Sequence, residues 1–136
     1  MKEKPNFDHH DSFDWSLLRT QLRDIKNGKG IAAPTYNFST SARLTETEIF
    51  APAKVCIFDG IYALWYEEIR SMLDLKIFLH VDADIRFIRR LHRDVKERGR
   101  NIDSIIAQYY DTVRPMHRQF LESTSQYADL TVGDET

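Results

Sequence analysis

The chain has 136 residues, 42% of them hydrophobic and 29% charged, with a formal net charge of −2. That length allows one domain with a core of its own, and the balance excludes a disordered polymer. A sequence pI near 6.2 speaks against a dedicated nucleic-acid binder, which needs a basic surface to neutralise phosphates.

No apolar run approaches the length of a membrane span. The first residues, "MKEKPNFDHHD", lack the apolar region of a signal peptide. The single cysteine, Cys56, has no intramolecular partner and lies in an apolar run, which predicts a small buried hydrophobe. A cytoplasmic, reducing setting is the expectation, with neither membrane nor nucleic acid as partner.

"HDSFDWSLLRTQLRDIKNGK" predicts a helix capped by Asp11 or Ser12. Trp15, Leu18, Leu22 and Ile25 share one face, and "NGKG" stops it. In "GIAAPTYNFSTSARLTETEIFAP" threonines alternate with aromatics between prolines, which predicts a short antiparallel pair with its loop at "STSAR". "KVCIFDGI" and "LKIFLHV" are continuous apolar runs, expected as parallel strands buried on both faces, with a short helix at "YEEIRSMLD" between them. "ADIRFIRRLHRDVKERG" predicts a basic helix capped at Asp82 or Asp84. A long helix through "NIDSIIAQYYDTVRPMHRQFLESTSQYA" should bend or break at Pro115, and "ADLTV" reads as a last strand. The order is that of an α/β protein.

Positions 89 to 100, "RRLHRDVKERGR", concentrate five arginines, a lysine and a histidine. Guanidinium groups suit phosphate oxygens. A solvated helix face is the competing reading, because Asp94 and Glu97 stand four residues after Arg90 and Arg93. Gly99 inside the stretch marks a hinge. The histidines at 9, 10, 80, 92 and 117 show no ligand spacing, and His9-His10 reads as a turn.

"NFDHHDSFDW", "PTYNFSTSAR", "FDGIYAL", "DADIRFIRRLHRDVKERGRN" and "QYYDTVRPMHRQF" occur in one order and spacing. Together they resemble the uridine kinase (uridine–cytidine kinase) family of P-loop nucleoside kinases over nearly the whole chain. The resemblance implies an α/β fold: a partial P-loop NTPase-type parallel sheet with flanking helices, plus a small antiparallel β-hairpin. It implies a single kinase-like domain over 1–136 with a lid at about 89–101. The implied activity is transfer of phosphate from ATP, with Mg²⁺, to the 5′-hydroxyl of uridine or cytidine.

By the same resemblance Asp8 accepts the ribose hydroxyls, and Phe7, Tyr36 and Phe38 flank the nucleoside. Ser41, Ile61, Arg90, Arg100 and Gln108 complete the nucleoside contacts. Arg93 and Arg98 take the phosphate side, and Asp59 stands near the magnesium. Each has a plainer reading: Asp8 as a helix-start acid, the aromatics as packing, Gln108 as an exposed helix residue.

Four departures stand out. Asp59 replaces the usual glutamate and is one methylene shorter. Ser41 replaces a histidine that contacts the base, which loosens the choice between uracil and cytosine. Asn37 replaces a frequent aspartate, and His10 a proline. The G-x-x-x-x-G-K-[ST] loop of the family has no counterpart, since Gly28 and Gly30 follow a helix and lack its spacing. In this fold the strand before that loop would lie between "VCIFDGI" and "LKIFLHV". The expectation is therefore a fragment of a longer kinase, inactive alone. The alternative is a non-catalytic paralogue that binds nucleoside or regulates a full-length subunit, as a homo-oligomer or paired with a P-loop-containing chain.

Overall fold

The computed structural model describes residues 9–37 and 42–133. They fall into two compact units, Asp14–Met72 and a second formed by Leu73 onward with the residues up to Phe13.

In the first unit helix α1 spans Trp15–Lys26. Its cap is Asp14, whose carboxylate accepts the Leu17 N–H at 3.0 Å. Asp11 and Ser12, expected as caps, lie instead in a separate 3₁₀ turn at His10–Ser12. Leu22 is buried on the predicted apolar face. The helix stops as predicted: Gly28 takes φ +72°, open to a residue without Cβ.

Strands β1 (Ile31–Asn37) and β2 (Ala42–Phe50) form the expected antiparallel hairpin. Its register slips between Pro34 and Tyr36, where proline offers no N–H to the ladder. Gln21 of α1 donates to the Ala32 carbonyl at 2.7 Å, tying helix to hairpin.

Turns at Gly60–Ala63 and Tyr62–Trp65 lead into α2 (Glu67–Arg70). Tyr62, Leu64 and Ile69 are buried. Arg70 closes this corner by donating to the carbonyls of Leu64 and Trp65 at 2.9 and 2.6 Å.

The second unit contains β3 (Ile77–His80), α3 (Ala83–Lys96), α4 (Ile102–Gln108) and β4 (Leu130–Gly133). Strands β3 and β4 pair in parallel, from Ile77↔Leu130 to His80↔Gly133. Asp129 clamps the start of the pair: its carboxylate accepts the Lys76 N–H at 2.8 Å and lies 3.1 Å from Lys76 Nζ. The hydrogen bond from the Lys76 N–H, with the lysine charge beside it, holds Asp129 below the usual carboxylate range despite a small opposing desolvation.

Pro115 does not break the following helix. Widened π turns at Tyr109–Val113 and His117–Leu121 flank the short α5 (Arg114–Met116), and a 3₁₀ stretch at Glu122–Tyr127 ends the run. A π turn absorbs the missing N–H by letting the ladder skip a residue.

Two expectations about burial are overturned. "KVCIFDGI" is not a strand; Val55 and Ile57 are 79% and 89% exposed, and Cys56 is exposed rather than buried. Strand β3 forms, but Ile77 and Leu79 are 46% and 69% exposed. The physical reason is shared. An apolar strand needs a ladder neighbour and a covering layer, and the described parallel sheet has two strands.

Candidate functional site

Helix α3 owes its charge to the basic stretch, and its C-terminus determines where that charge goes. The helix ends at Lys96, and Gly99 adopts φ +60°. The chain then turns back, so that Arg100 N–H donates to the Asp94 carbonyl at 3.0 Å. Asn101 caps α4 by accepting the Asp103 N–H at 2.8 Å, and α4 carries Gln108 alongside α3.

The arginines converge on Asp94, which is completely buried. Arg93 donates to Asp94 Oδ1 through Nε and Nη2 at 2.9 and 2.8 Å. Arg100 Nη1 reaches Oδ2 at 3.2 Å, Arg98 Nη1 lies 3.4 Å from Oδ1, and Arg90 Nε lies 3.8 Å from Oδ2. Gln108 Oε1 accepts from Arg90 at 3.0 Å and from Arg100 at 2.7 Å. Burial pushes the Asp94 carboxyl up, but the hydrogen bonds and charge of Arg93, with the charges of Arg90 and Arg98, outweigh it and hold the group below its ordinary value.

Four guanidinium groups thus face one carboxylate. The surplus positive charge, partly exposed, is a ready counterpart for a polyanion such as a nucleotide phosphate. The helix-face alternative is met only in part: Arg90–Asp94 is an i,i+4 pair, yet the same carboxylate gathers three further arginines. Sequence reasoning named Asp94 only as a pairing partner and missed it as the hub. The available signal was an acid, Asp94, standing directly after Arg93 and four residues from both Arg90 and Arg98.

The remaining candidates stand apart from this cluster in the sequence. Tyr36 is the penultimate residue of β1 and is 48% exposed, and Ile61 opens the turn before α2 at 60% exposure. Phe7, Asp8, Phe38 and Ser41 lie outside the described residues. Asp59 is exposed in an irregular segment and does not end a strand as expected. Among the described residues Asp59 belongs to no group of three or more potential metal ligands. Magnesium takes several oxygen ligands, so these residues do not by themselves fit that ion.

A separate open cleft of about 520 Å³ lies between α3 and the irregular helix, with Arg86, Phe87, Tyr109, Arg114 and His117 in its lining. Burial, helped by the Arg86 charge, pushes His117 down against the opposing pull of Glu122.

The architecture is shared with a solved structure. A protein from Silicibacter sp. TM1040, named for a fructose transport system kinase, superposes with a TM-score of 0.73 over 94% of this chain and 64% of its own, at 20% identity. That likeness establishes a mixed α/β fold with a parallel strand pair, helices and an antiparallel hairpin. The chain belongs to the phosphoribulokinase/uridine kinase family, whose model matches residues 1–134. It is 50% identical over 131 residues to a uridine kinase of Lactobacillus helveticus and 49% identical over 129 residues to one of Staphylococcus aureus. These alignments cover 96% and 95% of the chain, and the chain spans 62% of the length of each relative. Among the described residues no helix is long and apolar enough to cross a membrane.

Proposed function

We propose that residues 1–136 are the nucleoside-binding and lid part of a cytoplasmic uridine/cytidine kinase domain. The reaction is ATP-dependent phosphorylation of the pyrimidine nucleoside: the 5′-oxygen forms a bond to the γ-phosphorus, the bond from that phosphorus to the β,γ-bridging oxygen breaks, and the hydroxyl proton is released. The observation that carries this reading is the convergence of Arg90, Arg93, Arg98 and Arg100 on Asp94 within the segment that resembles the family's lid, with Gln108 accepting from Arg90 and Arg100.

In this reading Arg93 and Arg98 neutralise phosphoryl oxygens, where fixed positive charge favours a transition state that spreads negative charge. Arg90, Arg100 and Gln108 hold the nucleoside, with Asp8 on the ribose and Phe7, Tyr36, Phe38, Ser41 and Ile61 around the base. Magnesium carried with ATP would neutralise phosphate charge there; Asp59 alone does not hold the ion, and no step is assigned to it.

A second reading is favoured by the exposure of Ile77 and Leu79 on β3: a P-loop-bearing chain supplies a strand that pairs beside it. The chain then binds nucleoside and catalyses only in that company.

Titration calorimetry of uridine, cytidine, adenosine and ATP-Mg into the purified chain, with circular dichroism on the same sample, tests the proposal. Saturable pyrimidine binding by a folded chain is expected. A folded chain that ignores pyrimidines, or binds adenosine equally well, would sink it.

A further inference from the structure

Residues His9, His10 and Asp11 form a cluster of potential ligands that the nucleoside kinase reading does not use. One nitrogen from each imidazole and one carboxylate oxygen lie within 4.8 Å of one another. His10 Nδ1 is 3.0 Å from Asp11 Oδ1, and His9 Nδ1 is 3.4 Å from Asp11 Oδ2. Two donors on a tetrahedral zinc ion, each at its usual bond length, stand roughly 3.3 Å apart. Each nitrogen–oxygen separation is close to that value, His9 facing one Asp11 oxygen and His10 the other.

The local fold explains why the three donors meet. His9 caps the 3₁₀ turn His10–Ser12, and its Nδ1 accepts the Asp11 N–H at 3.2 Å. That bond aims the His9 Nδ1 lone pair into the turn, and it is long enough to be exchanged for a metal bond. The two imidazole rings lie 4.3 Å apart, and both meet the Phe120 ring edge-on at 5.2 and 4.9 Å. An aromatic wall therefore orients both rings, while Asp11 stays exposed and open to an arriving ion.

We propose that His9, His10 and Asp11 form a binding site for a divalent transition-metal ion, with two imidazole nitrogens and one carboxylate oxygen as ligands and water completing the shell. This donor set suits zinc, nickel or copper and is too nitrogen-rich for magnesium or calcium. Occupancy staples the start of the turn to itself and, through the rings, to the helix that carries Phe120.

The test is titration of ZnCl₂ into the chelator-treated full chain, with Cys56→Ser in every sample to remove the exposed thiol. Histidine ring nitrogens are followed by ¹⁵N NMR. One saturable site is expected, with zinc moving the Nδ1 signals of His9 and His10. His10→Ala and Asp11→Asn should each weaken binding at least about tenfold, since even an outer partner of a ligand costs that much; His92→Ala should change nothing. Asp11 is exposed, so Asp11→Asn leaves packing intact and reads ligand loss alone. Absence of saturable binding, unchanged affinity in Asp11→Asn, or shifts confined to His80, His92 or His117 would overturn the proposal.

Discussion

Replacing Asp94 by asparagine removes one charge from the centre of the arginine cluster and keeps the side-chain shape. The wild-type carboxylate is fully buried and accepts two bonds from Arg93 at 2.8 and 2.9 Å and one from Arg100 at 3.2 Å. Hydrogen bonds to a charged group contribute roughly 1.5–3 kcal/mol each, against about 1 for neutral ones. Stripping one partner from a fully buried ion pair costs about 3–5 kcal/mol. Here the arginine side chains are 20% to 46% exposed, so water receives part of their charge and the upper figure does not apply. The expected loss for Asp94→Asn is about 2 kcal/mol.

Urea is the denaturant of choice, because guanidinium chloride would screen the charges under test. Folding is followed by circular dichroism at neutral pH. The loss has a defined pH sign. The folded carboxyl is held below the ordinary value of 3.8, so its contribution is complete above that value and drains away as pH falls through the folded one. Wild type and Asp94→Asn should therefore approach each other in acid. Tripolyphosphate should stabilise the variant more than wild type, since the variant leaves four guanidinium groups without their counter-charge. A loss under about 0.5 kcal/mol at neutral pH, the range of an ordinary surface change, would refute the idea that Asp94 organises the cluster.

Two further outcomes follow from the same physics. Asp129, held below its ordinary value by Lys76, contributes stability above that value that is lost as pH falls through the folded one; Asp129→Asn should flatten the acid limb of the stability–pH curve, and an unchanged limb counts against the clamp. Gly99→Ala places a Cβ at φ +60° and should cost about 1–2 kcal/mol in the same urea assay, with weaker tripolyphosphate binding as Arg98 and Arg100 lose their approach to Asp94; no change in either would mean the glycine turn does not aim them.

Local order was legible where neighbours in sequence decide it. The α1 stop at "NGKG", the antiparallel pairing of β1 with β2 and the basic helix α3 all follow from short-range patterns. The cap of α1 was misplaced because two aspartates and a serine, Asp11, Ser12 and Asp14, precede the apolar face, and only the separate 3₁₀ turn at His10–Ser12 reveals that Asp14 faces the helix N–H groups. Burial of "KVCIFDGI" was misread because apolar content reports what a strand would bury if a neighbour were present, not whether one is. Arg90 and Gln108 were named as site residues, but their contact runs through a turn whose geometry depends on Gly99, and residue spacing alone does not report it.

The cluster also constrains how a lid at this position can work. Arg93 spends both its bonds to Asp94 on one carboxylate oxygen, whereas Arg98 lies at 3.4 Å and Arg90 at 3.8 Å from the same group. Arg93 is therefore the anchored member, and Arg98 is the one an incoming phosphate draws off at least cost, because an ion pair at that separation carries little directional bonding, whereas Arg90 also donates to Gln108 at 3.0 Å. Arg100 is different again: Gln108 and Asp94 share its Nη1, so moving it breaks two contacts together. Closure over a polyanion should begin at Arg98, beside the glycine turn, and leave the Arg93–Asp94 pair in place as the pivot.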